Sequence, residues 1–596
     1  MRKTLLFVVI FCLVAFSSLT GQQQKAEEKP DPLKNFSLVT ETKPVQEKVK
    51  MGFESITGQD AVTYLKFISS DLLEGRETAS EGYDIAAHYA AAMFELWGIK
   101  PAGDVERPRM GMRGMFQPPQ TPSAPKRSYF QNIAMIETLG NEGSALVEWQ
   151  KGQLKKTKVF QPNMDYSYSA SETKSLTAPV VFVGYGIQEP SLKFDEYKNL
   201  DVKDKFVMML SEAPGKDDPE SPFNKDELKE KYYPRRRFMR RAANPKVDLA
   251  KEKGAIAVLM VENSPQENPD VARRALDGQR INDERPIFPG ERRRISLAED
   301  VGPSMPWESI STIQVTRQMA DDILEFVGQD VESLKGKIEN TLKSHSMLLQ
   351  GVTFTVKNMA ETKLVNSMNV LGYIEGSDPE LKKEAIVIGA HLDHLGRRGD
   401  YIFNGADDDG SGSVGVMEIA EAFTKNPVKP KRSIVFALWT GEEKGLLGSR
   451  YYVANSFLKT IANLNLDMIS RVYDKERLAL MARRFGADIG KEVLEKIDAK
   501  KYVSLSFDAN TPVIGELIKE NNNHVGLHIY LRESEEATGG SDHAPFGRAK
   551  IPWAFFNAAT TENYHQASDT VDKVSSDLME KIIRVTYLTA FSLADK

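Results

Sequence analysis

From about Phe354 onward the sequence predicts an α/β unit built on a largely parallel sheet, and two observations carry that prediction. Short apolar runs of strand length alternate with a stretch of helical period. In addition, the clusters of His, Asp and Glu fall directly after those runs, where ligands of parallel sheets sit, beyond the carboxyl ends of the strands.

Ala385 to Ala390 reads as the first strand of this unit. Ser413 to Phe423 reads as a helix, because Val416, Ile419, Ala420 and Phe423 share one face. Ile434 to Trp439 is a buried strand, and Asn463 to Asp467 and Ile551 to Phe556 are further short strands. Upstream, Ala61 to Leu73 and Gly82 to Leu96 read as helices, the second with Ala86, Tyr89, Ala90 and Phe94 on one face. Pro101 to Lys126 is crowded with Pro, Gly, Met and Arg and suits an irregular loop. The texture changes near Ala178: Val180 to Gly186 gives a strand ended by glycines, followed by strands at Lys205 to Leu210 and Gly254 to Val261. Between the last two lies a basic run, Arg235, Arg236, Arg237, Arg240 and Arg241, read as a solvated face or a contact loop.

A length of 596 residues calls for more than one core, and 41% hydrophobic with 27% charged residues is ordinary globular composition. The net charge of -6 argues against nucleic acid as the main partner and leaves a peptide or small amino-acid derivative. Arg2 and Lys3, the apolar run Leu5 to Phe16 and the small residues Ser17 to Gly21 form a signal-peptide pattern. The run is shorter than the roughly 20 residues that span a bilayer, so no stable membrane insertion is expected after cleavage. Export to the periplasm or the medium follows as an expectation. Cys12, the only cysteine, lies inside this leader, so His, Asp and Glu remain for any metal site. Gln22 to about Lys50 reads as a flexible polar lead-in.

His391 and Asp393 follow the first strand of the α/β unit. A His two residues before an Asp can bind metal through one ring nitrogen while the carboxylate takes the other N–H. By itself the pair more often marks a hydrogen-bonded surface. Asp407, Asp408 and Asp409 open the helix at Ser413; three adjacent carboxylates repel, and either a cation or a helix-capping role would relieve them. Glu442 and Glu443 follow the Ile434 to Trp439 strand and can divide metal binding from proton transfer. Asp467 ends its own strand, and Tyr564-His565 follows the last one.

Five metal-competent segments in this order, between Val387 and Thr570, resemble the co-catalytic zinc aminopeptidase and glutamate carboxypeptidase family, whose elements are His-x-Asp, Gly-x-Asp-Asp-x-x-Ser-Gly, Glu-Glu, Asp and Tyr-His. The resemblance implies a three-layer αβα sandwich with a largely parallel mixed sheet, interrupted by a β-rich protease-associated domain that the strands from Ala178 to Val261 resemble. It implies two zinc ions: His391 and Asp467 on one, Glu443 and His565 on the other, Asp408 bridging. Asp393 would orient His391, Glu442 would be the general base, and Tyr564 would hydrogen-bond the tetrahedral intermediate. In such relatives the Asp408–Asp409 peptide is often cis. Ser541-Asp542-His543 also matches a family signature; Asp542 and His543 are expected to shape the site, with the last ligand left to His565. The chain then divides into a leader (1–21), a lead-in (22–50), the start of the peptidase domain (51–150), an insert (151–350) and the catalytic domain (351–596).

These residues imply an exported exopeptidase, most readily an aminopeptidase. A carboxypeptidase and a single-zinc glutaminyl cyclase-like enzyme are the alternatives within enzymes, and a non-catalytic receptor-like protein of the same fold is the alternative outside them.

Overall fold

The structure is a computed structural model that describes residues 35–106, 126–162, 165–167, 174–216, 218–232, 244–261, 292–300, 311–484, 491–537 and 540–596. The leader, most of the Pro101 to Lys126 stretch and the basic run Arg235 to Arg241 lie outside the described residues. Among the described residues no helix is long and apolar enough to cross a membrane.

Strand and helix alternation produces a mixed central sheet. Its strands lie side by side in the order 370–374, Ser433–Trp439, Glu384–His391, Lys459–Leu466, Trp553–Asn557, Tyr502–Asp508, His528–Ser534 and Phe36–Leu38. The four strands from Ser433–Trp439 to Trp553–Asn557 run parallel. They are buried almost throughout, as near-continuous apolar runs in a parallel sheet should be. Helix Gly412–Lys425 packs beside Gly58–Ile68 and Ser576–Asp595 and is buried over most of its length. Ala86, Ala90 and Phe94 of helix Glu81–Leu96 enter the same core, whereas Tyr89 is only half-buried.

Two corrections concern the amino-terminal part. The lead-in does not stay irregular to Lys50: Phe36–Leu38 pairs antiparallel with His528, Ile529 and Tyr530, and Glu47–Ser55 is a helix. Phe36 packs its ring 5.0 Å from that of Tyr530. So short a strand shows no period in sequence. Helix Gly58–Ile68 also ends before Leu73, and Asp71–Leu73 forms a separate 3₁₀ turn.

Two long strands, Phe130–Lys151 and Met347–Ile374, pair antiparallel and leave the central sheet as a ribbon. At its far end the ribbon meets Lys174–Phe182, followed by Phe206–Leu210, Ala257–Val261 and Ser311–Val315 in parallel. This insert has its own apolar core, including Phe182, Phe206, Leu259, Ile313 and Phe354. It also contains helices Pro245–Glu252, Arg317–Leu324 and Val331–Thr341, so it is not built of strands alone. The glycines ending its first strand have a definite reason: Gly184 has φ +56°, and a Cβ there would meet Glu196 Oε1. That carboxylate accepts the N–H groups of Tyr185 and Ile187 at 2.9 and 3.0 Å, which fixes the turn.

One buried carboxyl on helix Gly412–Lys425 supports a pH prediction. Burial, with Glu421 and Asp60 nearby, pushes Glu418 up to about 8, against an ordinary value near 4.5. A raised folded-state pKa gives stability that is complete below the unfolded value and lost as pH rises through the folded one. Glu418→Gln should therefore match the parent below pH 4.5 and exceed it above pH 8, by up to about 5 kcal/mol. Melting temperatures across that range check this; a constant offset would refute it.

Candidate metal centre

The parallel strands bring the predicted residues together because their carboxyl ends lie on one edge of the sheet. His391 is the last residue of Glu384–His391, Glu442 and Glu443 follow Ser433–Trp439, and Asp467 follows Lys459–Leu466. His565 lies in the loop beyond Trp553–Asn557, and Asp408 in the turn that opens helix Gly412–Lys425.

The three aspartates of that turn divide their tasks. Asp409 caps its neighbours, its Oδ1 accepting from Gly412 N at 2.9 Å and Met468 N at 3.1 Å and its Oδ2 from His391 N at 3.2 Å. Asp407 Oδ1 accepts from Ser470 N and Oγ at 3.0 and 2.6 Å. The Asp408 side chain points into the centre, and the Asp408–Asp409 peptide is cis. The capping reading is thus realised on Asp407 and Asp409, and Asp408 is left facing the other donors.

Asp408 offers one oxygen to each of two donor groups. Oδ1 lies 3.3 Å from His391 Nε2, which is also 3.8 Å from Asp467 Oδ1. Oδ2 lies 3.0 Å from His565 Nε2, which is also 3.2 Å from Glu443 Oε1. Asp408 Oδ2 and Glu443 Oε1 are nevertheless buried without a hydrogen bond of acceptable geometry. Donors this close but not aimed at one another share a point between them, as ligands of a common cation do. A cation with nitrogen and oxygen ligands at about 2.0–2.2 Å fits both groups.

Charge leads to the same result. Burial disfavours a charged His565, yet Glu443 and Asp408 raise its pKa to about 10. His391 is likewise raised well above its ordinary value despite burial, by Glu442, Asp408 and Asp467. Both imidazoles report a centre short of positive charge, which bound cations would supply. Glu442 is pushed well above the carboxylate range, first by burial and then by Glu443, Asp542 and Asp467.

One expectation is corrected. The Asp393 carboxylate does not take the second N–H of His391: Nδ1 lies 2.9 Å from the Asp393 main-chain carbonyl oxygen and 4.0 Å from Oδ1. The carboxylate instead accepts from Thr78 Oγ1 at 2.7 Å and from Glu442 N at 3.1 Å, so it holds the Glu442 segment. The carbonyl wins because it sits beside the ring in the turn leaving the strand. Tyr564 stacks on His565 with ring centroids 3.9 Å apart. Asp542 accepts from Ser449 Oγ and helps raise Glu442, and His543 stacks on Phe555 at 4.4 Å.

Three participants escape the motif reading. Asp569 Oδ2 accepts from Asp407 N and Asp408 N at 3.0 and 3.1 Å, and its Oδ1 accepts from Arg471, so the pair supports the Asp408 turn from below. The third is His394, one residue beyond Asp393, whose Nδ1 is 3.0 Å from Glu443 Oε1. The histidine was visible in sequence, but its direction was not.

An α/β sheet carrying two overlapping groups of nitrogen and oxygen donors at its parallel strand ends defines a protein with a centre suited to paired cations. Residues 369–590 match the model of peptidase family M28. The chain is 27% identical over 232 residues to leupeptin-inactivating enzyme 1 of Streptomyces exfoliatus, a match covering 37% of this chain and 40% of that protein. It is 28% identical over 253 residues to leucine aminopeptidase 2 of Arthroderma otae, covering 40% and 47% respectively. The chain thus spans less than half the length of these curated relatives. Among solved structures, the aminopeptidase from Aneurinibacillus sp. strain AM-1 shares the fold with TM-score 0.52 and 18% identity, over 92% of this chain and 95% of that one.

Proposed function

We propose that this protein is an exported exopeptidase with two zinc ions that removes amino-terminal residues from peptides. The observation that carries the proposal is the placement of Asp408, whose two carboxylate oxygens face separate donor groups at 3.3 and 3.0 Å. His391 and Asp467 would hold one ion, Glu443 and His565 the other, with Asp408 shared between them. Zinc held by nitrogen and oxygen donors supplies an acidified water and polarises a carbonyl. Glu442, buried and 4.0 Å from His391 Nε2, stands where a base can take a proton and return it to the leaving amine. Asp393 fixes the main chain of that base, and Tyr564, half-buried and stacked on His565, would hydrogen-bond the tetrahedral intermediate.

An aminopeptidase is favoured over a carboxypeptidase because, among the described residues, the buried arginines around the centre are already engaged. Arg76 donates to the carbonyls of Leu392, Asn404 and Gly405 at 2.8, 2.7 and 3.1 Å, and Arg471 pairs with Asp569. Neither can grip a terminal carboxylate. Export rests on the leader pattern, and the insert is read as a protease-associated-like domain.

The purified chain is expected to bind two zinc ions, measured by elemental analysis, and to release chromophore from aminoacyl p-nitroanilides. Chelation should abolish this activity and zinc restore it, while N-blocked peptides stay intact. Two bound ions with no activity on any free-amine substrate would instead support the receptor-like reading.

A further inference from the structure

We infer that His394 is a sixth protein ligand of the centre, belonging to the ion held by Glu443 and His565. This rests on the two-cation reading above and deepens it, since the family-type set of five residues leaves His394 without a task.

His394 is fully buried, and neither ring nitrogen has a hydrogen-bond partner. A buried imidazole with both nitrogens unsatisfied is unfavourable unless something else meets them. Its Nδ1 lies 3.0 Å from Glu443 Oε1 and 4.0 Å from Asp408 Oδ2. Its ring stands edge-on to that of His565, with centroids 5.8 Å apart. Ligand atoms at about 2.0 Å around a tetrahedral zinc are separated by about 3.3 Å, which these spacings bracket.

The ring is also held in place. Its main-chain N–H donates to the Arg76 carbonyl at 3.1 Å, and Gly405 leaves the space it fills, since a Cβ at Gly405 would come within 2.5 Å of the imidazole. Gly405 has φ +56°, so the same turn that aims Asp408 also admits His394.

The two positions then differ. The ion at His394, His565, Glu443 and Asp408 would have four protein ligands, and the one at His391, Asp408 and Asp467 would have three. Closed zinc sites are characteristically structural, whereas catalytic ones keep an open position. The open position therefore falls to the ion beside Glu442, whose Oε2 is 4.0 Å from His391 Nε2.

Calorimetric titration of the metal-free full chain with zinc tests this on the parent, His394→Ala and His565→Ala. Two ions on the parent, with the second at least tenfold weaker in His394→Ala and the first unchanged, is the expected result. A smaller loss in a folded His394→Ala protein overturns the ligand role and leaves the two-zinc reading intact; fewer than two ions on the parent overturns that reading itself. Should His394→Ala fail to fold, X-ray absorption of the zinc-loaded parent decides: three imidazoles shared by two ions support the assignment, and two refute it.

Discussion

Glu442→Gln is expected to lower kcat by about a thousandfold while leaving zinc content and KM within twofold, a loss in the range for removing a general base. The carboxyl is buried, its segment is pinned by Asp393 through the Glu442 N–H, and it stands 4.0 Å from His391 Nε2 without belonging to either donor group. Glutamine keeps the shape and the segment's hydrogen bond but cannot accept and return a proton. Steady-state kinetics with an aminoacyl p-nitroanilide, alongside elemental analysis, make the measurement. A loss under tenfold with zinc retained would remove Glu442 from proton transfer. Loss of zinc would make it a ligand instead.

Arg471→Met should destabilise the central core by about 3–5 kcal/mol, because it leaves a buried carboxylate without its cation. Arg471 is buried, bonds Asp569 Oδ1 and lies 3.9 Å from Asp407 Oδ2. Asp569 in turn receives the main-chain N–H groups of Asp407 and Asp408. Burial and the neighbouring Asp569 already push Asp407 up to about 7, with Arg471 opposing them. Calorimetry of the metal-free chain should show the larger transition falling by about 10 °C. Pairing the change with Asp569→Asn should recover part of the loss, since the uncompensated charge is then gone. An unchanged transition in the single variant would mean that the pair contributes no net stability.

The alternation of apolar runs from Ala385 to Phe556 was enough to predict the strands bearing the site. Elsewhere the signal was present but unused: Val503, Leu505 and Phe507 alternate along Tyr502–Asp508, and Leu578, Ile582 and Val585 share one face of Ser576–Asp595. Neither element supplies a residue to the two donor groups, so a reading anchored on that chemistry passes over them. The ribbon of Phe130–Lys151 and Met347–Ile374 is different in kind. Its pairing joins segments some two hundred residues apart, and no local period encodes such a partner.

By itself, the sequence determined the chemistry available: a single cysteine set far from the acidic and imidazole clusters, five carboxylate- or imidazole-bearing segments, and their places at strand ends, because strand period and residue type are local properties. Only the tertiary structure decided how those groups face one another. It gave His391 the Asp393 carbonyl rather than the carboxylate, turned Asp408 inward while Asp407 and Asp409 bind the main chain, placed Arg471 under Asp569, and aimed His394 at Glu443. Direction depends on which strands lie side by side and on the turn that follows each. A sheet whose neighbours come from distant parts of the chain settles both at once, on folding.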